Sequence, residues 1–292
     1  MKLRLAHYRN RFSMFRIYYA LGAGLIKPHD IALTVFEVPD PPSRELEERL
    51  IRGEVDLANL YLPNFLERAL AGAPIVGLCT EWKSTGKGNG LFVRRGDVRE
   101  PRELEGRQVA THQGRHAIHS YLLKHAYGVD AARLQWQASP QETLLGLLRR
   151  GEADAVVLLD QFFHHGEEAD GVACLYTDGA AWKKLTGFDE MIKHIVAANR
   201  LLLDRNPAIL EPLRDAFRQS FAYSERNIEE VADLFIARYG GDRDALLTSA
   251  RYPRMEFTFT EGERELAQRQ MDMFVEVERL SRNAPVGSFF AV

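Results

Sequence analysis

Two segments of the chain repeat one short pattern, about a hundred residues apart. The first reads LIRGEVDLA (50–58) and the second reads LRRGEADAV (148–156). In each, an amphipathic helix pattern ends at a glycine, the residue that most easily takes the left-handed conformation at a helix C-terminus. An aspartate then precedes an apolar strand pattern, and we expect Asp56 and Asp154 to accept hydrogen bonds in these helix-to-strand turns. The repeat predicts two similar α/β halves.

Strand and helix patterns alternate along most of the chain, which indicates parallel sheets flanked by helices. The first half has predicted strands at 2–6, 31–38, 55–60 and 74–79, and predicted helices at 12–24, 43–52 and 63–72. A glycine-rich loop (80–90) and a strand (91–95) lead to the second half, with strands at 107–111, 133–138, 154–159 and 172–176 and helices at 115–127, 140–150 and 161–168. A return strand (192–199) precedes helices at 207–222, 226–239, 243–250 and 262–282 and an extended tail. We expect one lobe from 1–92 plus 196–292 and a second from 93–195, joined by two hinge strands, with a ligand bound where they meet.

The segment between the repeats carries a resemblance that covers nearly the whole chain. REPRELEGRQVATHQG (99–114), and within it Leu104 through Ala110, resembles the opening of the second lobe in type II periplasmic binding proteins. That superfamily includes sulfonate-binding proteins and thiamine-pyrimidine-synthase-like families. The resemblance implies two Rossmann-like lobes with a helical C-terminus. It also implies hinge closure on a small anionic or heteroaromatic molecule and an ABC permease as partner.

A second, partial resemblance is to the dihydroxynaphthoate synthases of menaquinone biosynthesis, and it implies a cytoplasmic lyase or synthase instead. The matching stretches are FRIYYAL (15–21), GRH (114–116), DGAAW (178–182) with TG (186–187), SFAY (220–223) and EGER (261–264). Where that family has its catalytic histidine this chain has Asp160, and His164 and His165 follow one helical turn later. If the protein is an enzyme, Asp160 and His164 are the candidate proton-transfer groups.

Candidate ligand-binding residues follow from the position of the predicted strands. In a doubly wound lobe, ligands meet the carboxyl ends of the strands and the amino ends of the helices that follow. That rule selects His7, Tyr8, Asn10, Asn59, Tyr61, Trp82, Gly114, Arg115, His116, Asp160 and Phe162.

Each of these residues also has a plainer interpretation. Gly114 and Arg115 open a helix and suit a carboxylate, sulfonate or phosphate, or they form a solvated surface cap. His7 and Tyr8 position a ligand or satisfy backbone groups at a strand end. Phe162, like Trp82, stacks on an aromatic ligand or belongs to the core.

Composition excludes several function classes. A net charge of -3 without a long single-sign block argues against nucleic acid as a partner, and no apolar run is long enough to span a membrane.

Cys79 and Cys174 lie in apolar strand patterns, so two buried free thiols are favoured over one disulfide. No metal or cofactor is expected; His116 and His119 share a helix face, but no cysteine or carboxylate cluster accompanies them. The N-terminus reads as a strand rather than a signal peptide, which favours the cytoplasm unless a signal has been removed.

Overall fold

The computed structural model describes residues 1–9, 11–27, 31–38 and 44–291. The chain forms two compact units. The first comprises Met1–Lys83, Ile192–Arg243 and Met255–Val292, and the second comprises Ser84–Met191 and Asp244–Arg254. The limits predicted from sequence put the two main crossings at 92/93 and 195/196, slightly later in the chain, and do not separate 244–254.

Strands and helices largely alternate through residue 199. The strands are β1 (Lys2–Tyr8), β2 (Ala32–Val38), β3 (Leu57–Tyr61), β4 (Ile75–Ser84), β5 (Asn89–Arg94), β6 (Gln108–Thr111), β7 (Gln135–Ala138), β8 (Ala155–Leu159), β9 (Val172–Thr177), β10 (Met191–Asn199) and β11 (Pro253–Met255). The α-helices are α1 (Phe12–Gly22), α2 (Glu45–Ile51), α3 (Leu62–Leu70), α4 (Ala117–Tyr127), α5 (Gln141–Arg150), α6 (Asp160–Glu168), α7 (Asp178–Thr186), α8 (Arg200–Arg205), α9 (Leu210–Arg226), α10 (Ile228–Tyr239), α11 (Arg243–Ser249) and α12 (Glu261–Glu276).

Two sheets share one topology. The first has the order β11-β4-β10-β3-β1-β2 and the second the order β7-β6-β8-β5-β9. In each, the first strand pairs in parallel with its second and third strands, and one further strand pairs antiparallel with the third: the later strand β10 in the first sheet and the preceding strand β5 in the second. The predicted parallel pairing is therefore correct for β1, β2 and β3 and for β6, β7 and β8, whereas β10 and β5 run antiparallel to their neighbours. An apolar run gives no indication of strand direction, so the sequence could not show this.

The two repeats make the same contact in the two units. The carboxylate of Asp56 accepts a hydrogen bond from the backbone N–H of Arg4 at 2.7 Å, and the N–H of Asp56 donates to the Arg4 carbonyl at 2.8 Å. Asp154 forms the same pair with Gln108, at 3.0 and 2.9 Å. These aspartates do accept hydrogen bonds, but the donor lies on the neighbouring strand rather than in the turn. Each aspartate therefore fixes the register of the third strand against the first.

Asp154→Ala should lower the free energy of unfolding by about 1–3 kcal/mol, because the N–H of Gln108 loses its side-chain acceptor. Urea unfolding followed by circular dichroism measures the change. Asp170→Ala, at an exposed position in the same unit, is the control and should stay within about 0.5 kcal/mol of the parent protein. Equal losses in the two variants would contradict a register-fixing role.

The loop predicted at 80–90 is mostly strand. β4 continues to Ser84 and β5 begins at Asn89, so only residues 85–88 lie between them. The residues TEWKS (80–84) fall in the predicted glycine-rich loop, yet all five are buried. The side chains of Thr80, Glu81 and Lys83 bond to residues from distant parts of the chain.

Other differences lie at the ends of elements and in short elements. Helices α7 and α8 and strand β11 were not predicted, and the tail contains a 3-10 turn, Val286–Phe289, rather than an extended run. Both cysteines are free thiols, as favoured; Cys79 is buried, but the prediction for Cys174 was wrong because it is exposed on β9 at the edge of its sheet. Among the helices described, none has the length and apolar character that crossing a bilayer requires.

Candidate functional site

Three strands of the first unit bring aromatic rings around His194 on β10. Its ring centroid lies 5.6 Å from that of Tyr61 on β3 and 5.3 Å from that of Trp82 on β4. The ring of Tyr8, at the end of β1, approaches edge-on at 6.3 Å. The antiparallel register that places His194 opposite Tyr61 produces this cluster, because it brings the start of β10 to the carboxyl end of β3. Aromatic faces of this kind suit a flat or apolar part of a ligand.

Asn59 connects this histidine to a buried carboxyl group. Its side-chain oxygen lies 3.2 Å from Nδ1 of His194, and an amide oxygen only accepts, so Nδ1 carries the proton. Its amide nitrogen donates to Glu81. Asn59 is fully buried, so both ends of its amide are used to hold neighbours in place.

Glu81 is fully buried and accepts hydrogen bonds from Asn59 and from the hydroxyl of Tyr18. Burial raises the pKa of Glu81 to about 8, against the opposing effect of the Tyr18 hydrogen bond. At neutral pH the carboxyl group is therefore mostly protonated. Tyr18, Glu81, Asn59 and His194 form one hydrogen-bonded chain.

His7 lies on the opposite face of the sheet from Tyr8, as successive residues of a strand do. Its ring stacks on Tyr18 with centroids 4.7 Å apart, and its Nδ1 donates to the Tyr8 carbonyl at 2.9 Å. Burial lowers the pKa of His7 to about 4, although the bond to the Tyr8 carbonyl opposes this effect. His7 is therefore neutral at physiological pH.

The ammonium group of Lys83 forms ion pairs within the protein. It is buried and pairs with Glu256 and, at 3.3 Å, with Glu263. Glu263 also completes a capping box with Thr260 at the start of α12. These bonds fix the end of β4, where Trp82 lies.

In the second unit, residues 111–116 lead from β6 into α4. The helix begins at Ala117, so Arg115 and His116 precede it; Arg115 is exposed and His116 is buried. Gly114 has a φ of 73°, which glycine adopts without strain, and its carbonyl accepts from the Thr111 hydroxyl at 2.6 Å. The tight turn therefore leaves Arg115 as an exposed residue two positions before the start of α4.

Three histidines lie in this turn and in the first turn of α4. The ring centroids of His112 and His116 are 5.9 Å apart, those of His116 and His119 are 5.0 Å apart, and Nδ1 of His119 lies 2.9 Å from the Tyr176 hydroxyl. Within the described part of the chain, no three histidine, cysteine or carboxylate side chains are grouped as metal ligands.

Asp160 has a strained backbone. Its φ is 51°, a value that non-glycine residues rarely adopt, and its N–H donates to the Gly88 carbonyl at 2.8 Å. Such strain costs about 1–3 kcal/mol and tends to occur at functional sites. His164 lies four residues later on α6 and shares a helix face with Asp160. Phe162 packs against the apolar core of the second unit, which leaves its ring partly buried.

The profile of the NMT1/THI5-like family matches residues 12–230, well over half of the chain. The chain belongs to the NMT1/THI5-like family.

Solved structures confirm the fold of this NMT1/THI5-like protein. The periplasmic aliphatic sulphonate binding protein SsuA from Escherichia coli is 17% identical with a TM-score of 0.79, over 100% of this chain and 92% of that one. The alkanesulfonate-binding protein SsuA from Xanthomonas axonopodis pv. citri, bound to MOPS, is 16% identical with a TM-score of 0.76, over 99% and 98%. The ligand-binding component of an ABC-type import system from Staphylococcus aureus, with zinc bound, is 13% identical with a TM-score of 0.72, over 100% and 96%. The type II periplasmic-binding-protein fold predicted from the sequence is confirmed.

The predicted site residues fall into two groups in this NMT1/THI5-like chain. In the first unit, Tyr8, Asn59, Tyr61 and Trp82 all lie around His194, while His7 faces helix α1. In the second unit the residues lie after β6 and β8 and are Gly114, Arg115, His116, Asp160, Phe162 and His164. Asn10 lies outside the described residues. Roles in binding or catalysis stay predictions for all of them.

Sequence reasoning missed His194, Glu81 and Tyr18. His194 lies in the run IKHIVAAN, where a histidine next to the apolar stretch IVAA of a predicted strand was a usable signal. Glu81 falls in the loop predicted at 80–90, and Tyr18 falls inside the helix predicted at 12–24, so neither lies at a predicted strand end. The hydrogen bond between Tyr18 and Glu81 joins residues that are 63 positions apart in the sequence.

Proposed function

We propose that this protein is a solute-binding protein that holds a small anionic or heteroaromatic molecule and delivers it to an ABC permease. The observation that carries the proposal is the convergence of Tyr8, Asn59, Tyr61 and Trp82 on His194 at the carboxyl ends of the strands. Hinge closure, predicted from the sequence, is part of the same proposal. The sulfonate-binding and import proteins of the same fold support an extracytoplasmic place of action and the permease partner.

The charges near the cluster fit an anionic group. The buried carboxyl of Glu81 is mostly neutral at physiological pH, so it does not repel an anion. The indole N–H of Trp82 is buried and donates to no partner within the described residues. A buried N–H without a hydrogen-bond acceptor lowers the stability of the folded protein, and an acceptor on a ligand would remove this penalty.

Native mass spectrometry of the purified full-length chain, followed by a thermal-shift panel of carboxylates, sulfonates and heteroaromatic compounds, tests the proposal. A ligand at about 100 times its dissociation constant should add about 2.7 kcal/mol to the free energy of unfolding. Tyr61→Ala should weaken binding of that ligand about tenfold, because a flat contact surface is lost. The proposal fails if no compound binds or if Tyr61→Ala binds as the parent does.

Phe36→Ala is the matched control for this variant. Phe36 is an aromatic residue of the same unit, on β2, and is 42% exposed. Its replacement should leave the affinity unchanged. The lyase or synthase alternative rests on the resemblance alone, and turnover of the bound compound that is lost in Asp160→Asn and His164→Ala would favour it.

A further inference from the structure

A cavity of about 320 Å³ lies beside helix α1 in the first unit. Its walls come from one side of α1, the inner face of β2, the end of β1 and helix α10. The lining side chains and small residues are His7, Phe15, Tyr18, Tyr19, Gly22, Ala23, Val35, Glu37 and Arg238. The volume is at the small end of ligand pockets and suits a molecule of one or two rings.

The polar part of this wall accepts hydrogen bonds. His7 is 3% exposed and uses Nδ1–H to donate to the Tyr8 carbonyl, which leaves Nε2 of the neutral ring as an acceptor. Glu37 lies next to His7, since β1 and β2 pair these two residues in register. A carboxylate accepts several hydrogen bonds, so Glu37 keeps capacity beyond the bond it receives from Arg238 at 2.6 Å. Two neighbouring acceptors therefore line the same wall.

The two charged side chains of the cavity wall carry opposite charges that neutralise each other. Glu37 and Arg238 form an ion pair, and Tyr239 also donates to the same carboxylate. An anionic guest would meet the carboxylate, and a cationic guest would meet the guanidinium. The remaining wall is aromatic, with Phe15 and Tyr19 stacked at 5.4 Å between ring centroids.

We propose that this cavity binds a neutral aromatic molecule of one or two rings that donates an N–H or O–H hydrogen bond. The guest packs against Phe15, Tyr18 and Tyr19 and donates to His7 or Glu37. The cavity lies on the α1 side of the sheet and the His194 cluster lies on the Tyr8 side, although Tyr18 borders the cavity and also donates to Glu81. This proposal does not rest on the proposed transport function.

Calorimetric titration of the full chain with indole and with indene tests the proposal. These probes have nearly the same size and shape, but only indole donates an N–H. Indole should bind about three- to tenfold more tightly than indene, which corresponds to one net hydrogen bond. In His7→Phe, which keeps an aromatic ring at the position, that preference should shrink.

Cavity-filling variants locate the binding. Val35→Phe and Ala23→Leu each place bulk in the cavity from a different element and should weaken indole binding at least about tenfold. Thr34→Phe adds the same bulk as Val35→Phe on the exposed face of β2 and should bind as the parent does. The proposal is overturned if the parent protein binds no indole, if it binds indole and indene equally, or if the folded filling variants bind indole normally.

Discussion

Glu81→Gln is expected to flatten the pH dependence of stability and to raise the free energy of unfolding at pH 8 by several kcal/mol. The pKa of Glu81 rises from its ordinary value of 4.5 to about 8 in the folded protein. Between these values the folded state binds more protons than the unfolded state, so the stability of the parent falls as pH rises. The slope is at most about 1.4 kcal/mol per pH unit. Glutamine does not titrate and can still bond to Tyr18 and Asn59.

Urea unfolding of the parent and the variant at intervals from pH 5 to 8.5 measures this slope. Glu265→Gln, the same substitution at an exposed position on α12, is the matched control and should keep the slope of the parent. If Glu81→Gln and Glu265→Gln show the same pH dependence, Glu81 is not the buried titrating group.

Gly179→Ala is expected to destabilise the second unit by about 3–5 kcal/mol, the range of the most damaging single substitutions. A Cβ at this position would lie 1.6 Å from the carbonyl oxygen of Thr85 and 3.1 Å from the backbone nitrogen of Gly86. Backbone atoms cannot move aside as a flexible side chain can. The adjacent bond from Ser84 to Asp178, at 3.1 Å, also holds this part of the chain against the start of α7.

Thermal and urea unfolding measure the loss, and Gly262→Ala provides a control of opposite sign. Gly262 lies in α12, and a Cβ there would meet no atom within 4 Å. Alanine should stabilise this helical position by about 0.5–1 kcal/mol. Equal unfolding curves for Gly179→Ala and the parent would show that the close approach to Thr85 is absent in solution.

Local patterns predicted most of the strands and helices, and the resemblance implied the fold. The apolar alternation located β1 through β3 and β6 through β8, and the repeated glycine and aspartate located matching turns in both units. These features depend on residues close in sequence. The directions of β5 and β10 depend on how distant segments join a sheet, and no local pattern encodes that.

The candidate site was predicted only in part, for a related reason. Tyr8, Asn59, Tyr61 and Trp82 were found because they lie near the carboxyl ends of strands. The extension of β4 through Glu81 and Lys83 was missed, because polar residues resemble a loop until their partners are known. Lys83 pairs with Glu256, which is 173 positions away.

The insertion of β10 between β3 and β4 has a consequence for synthesis on the ribosome. The sheet of the second unit has all its strands once residue 177 has been made, whereas the sheet of the first unit lacks an inner strand until residue 199 and an edge strand until residue 255. Domains generally form as units while the chain emerges. The N-terminal strands are translated first, but they therefore cannot complete their sheet until all strands of the second unit have been synthesised.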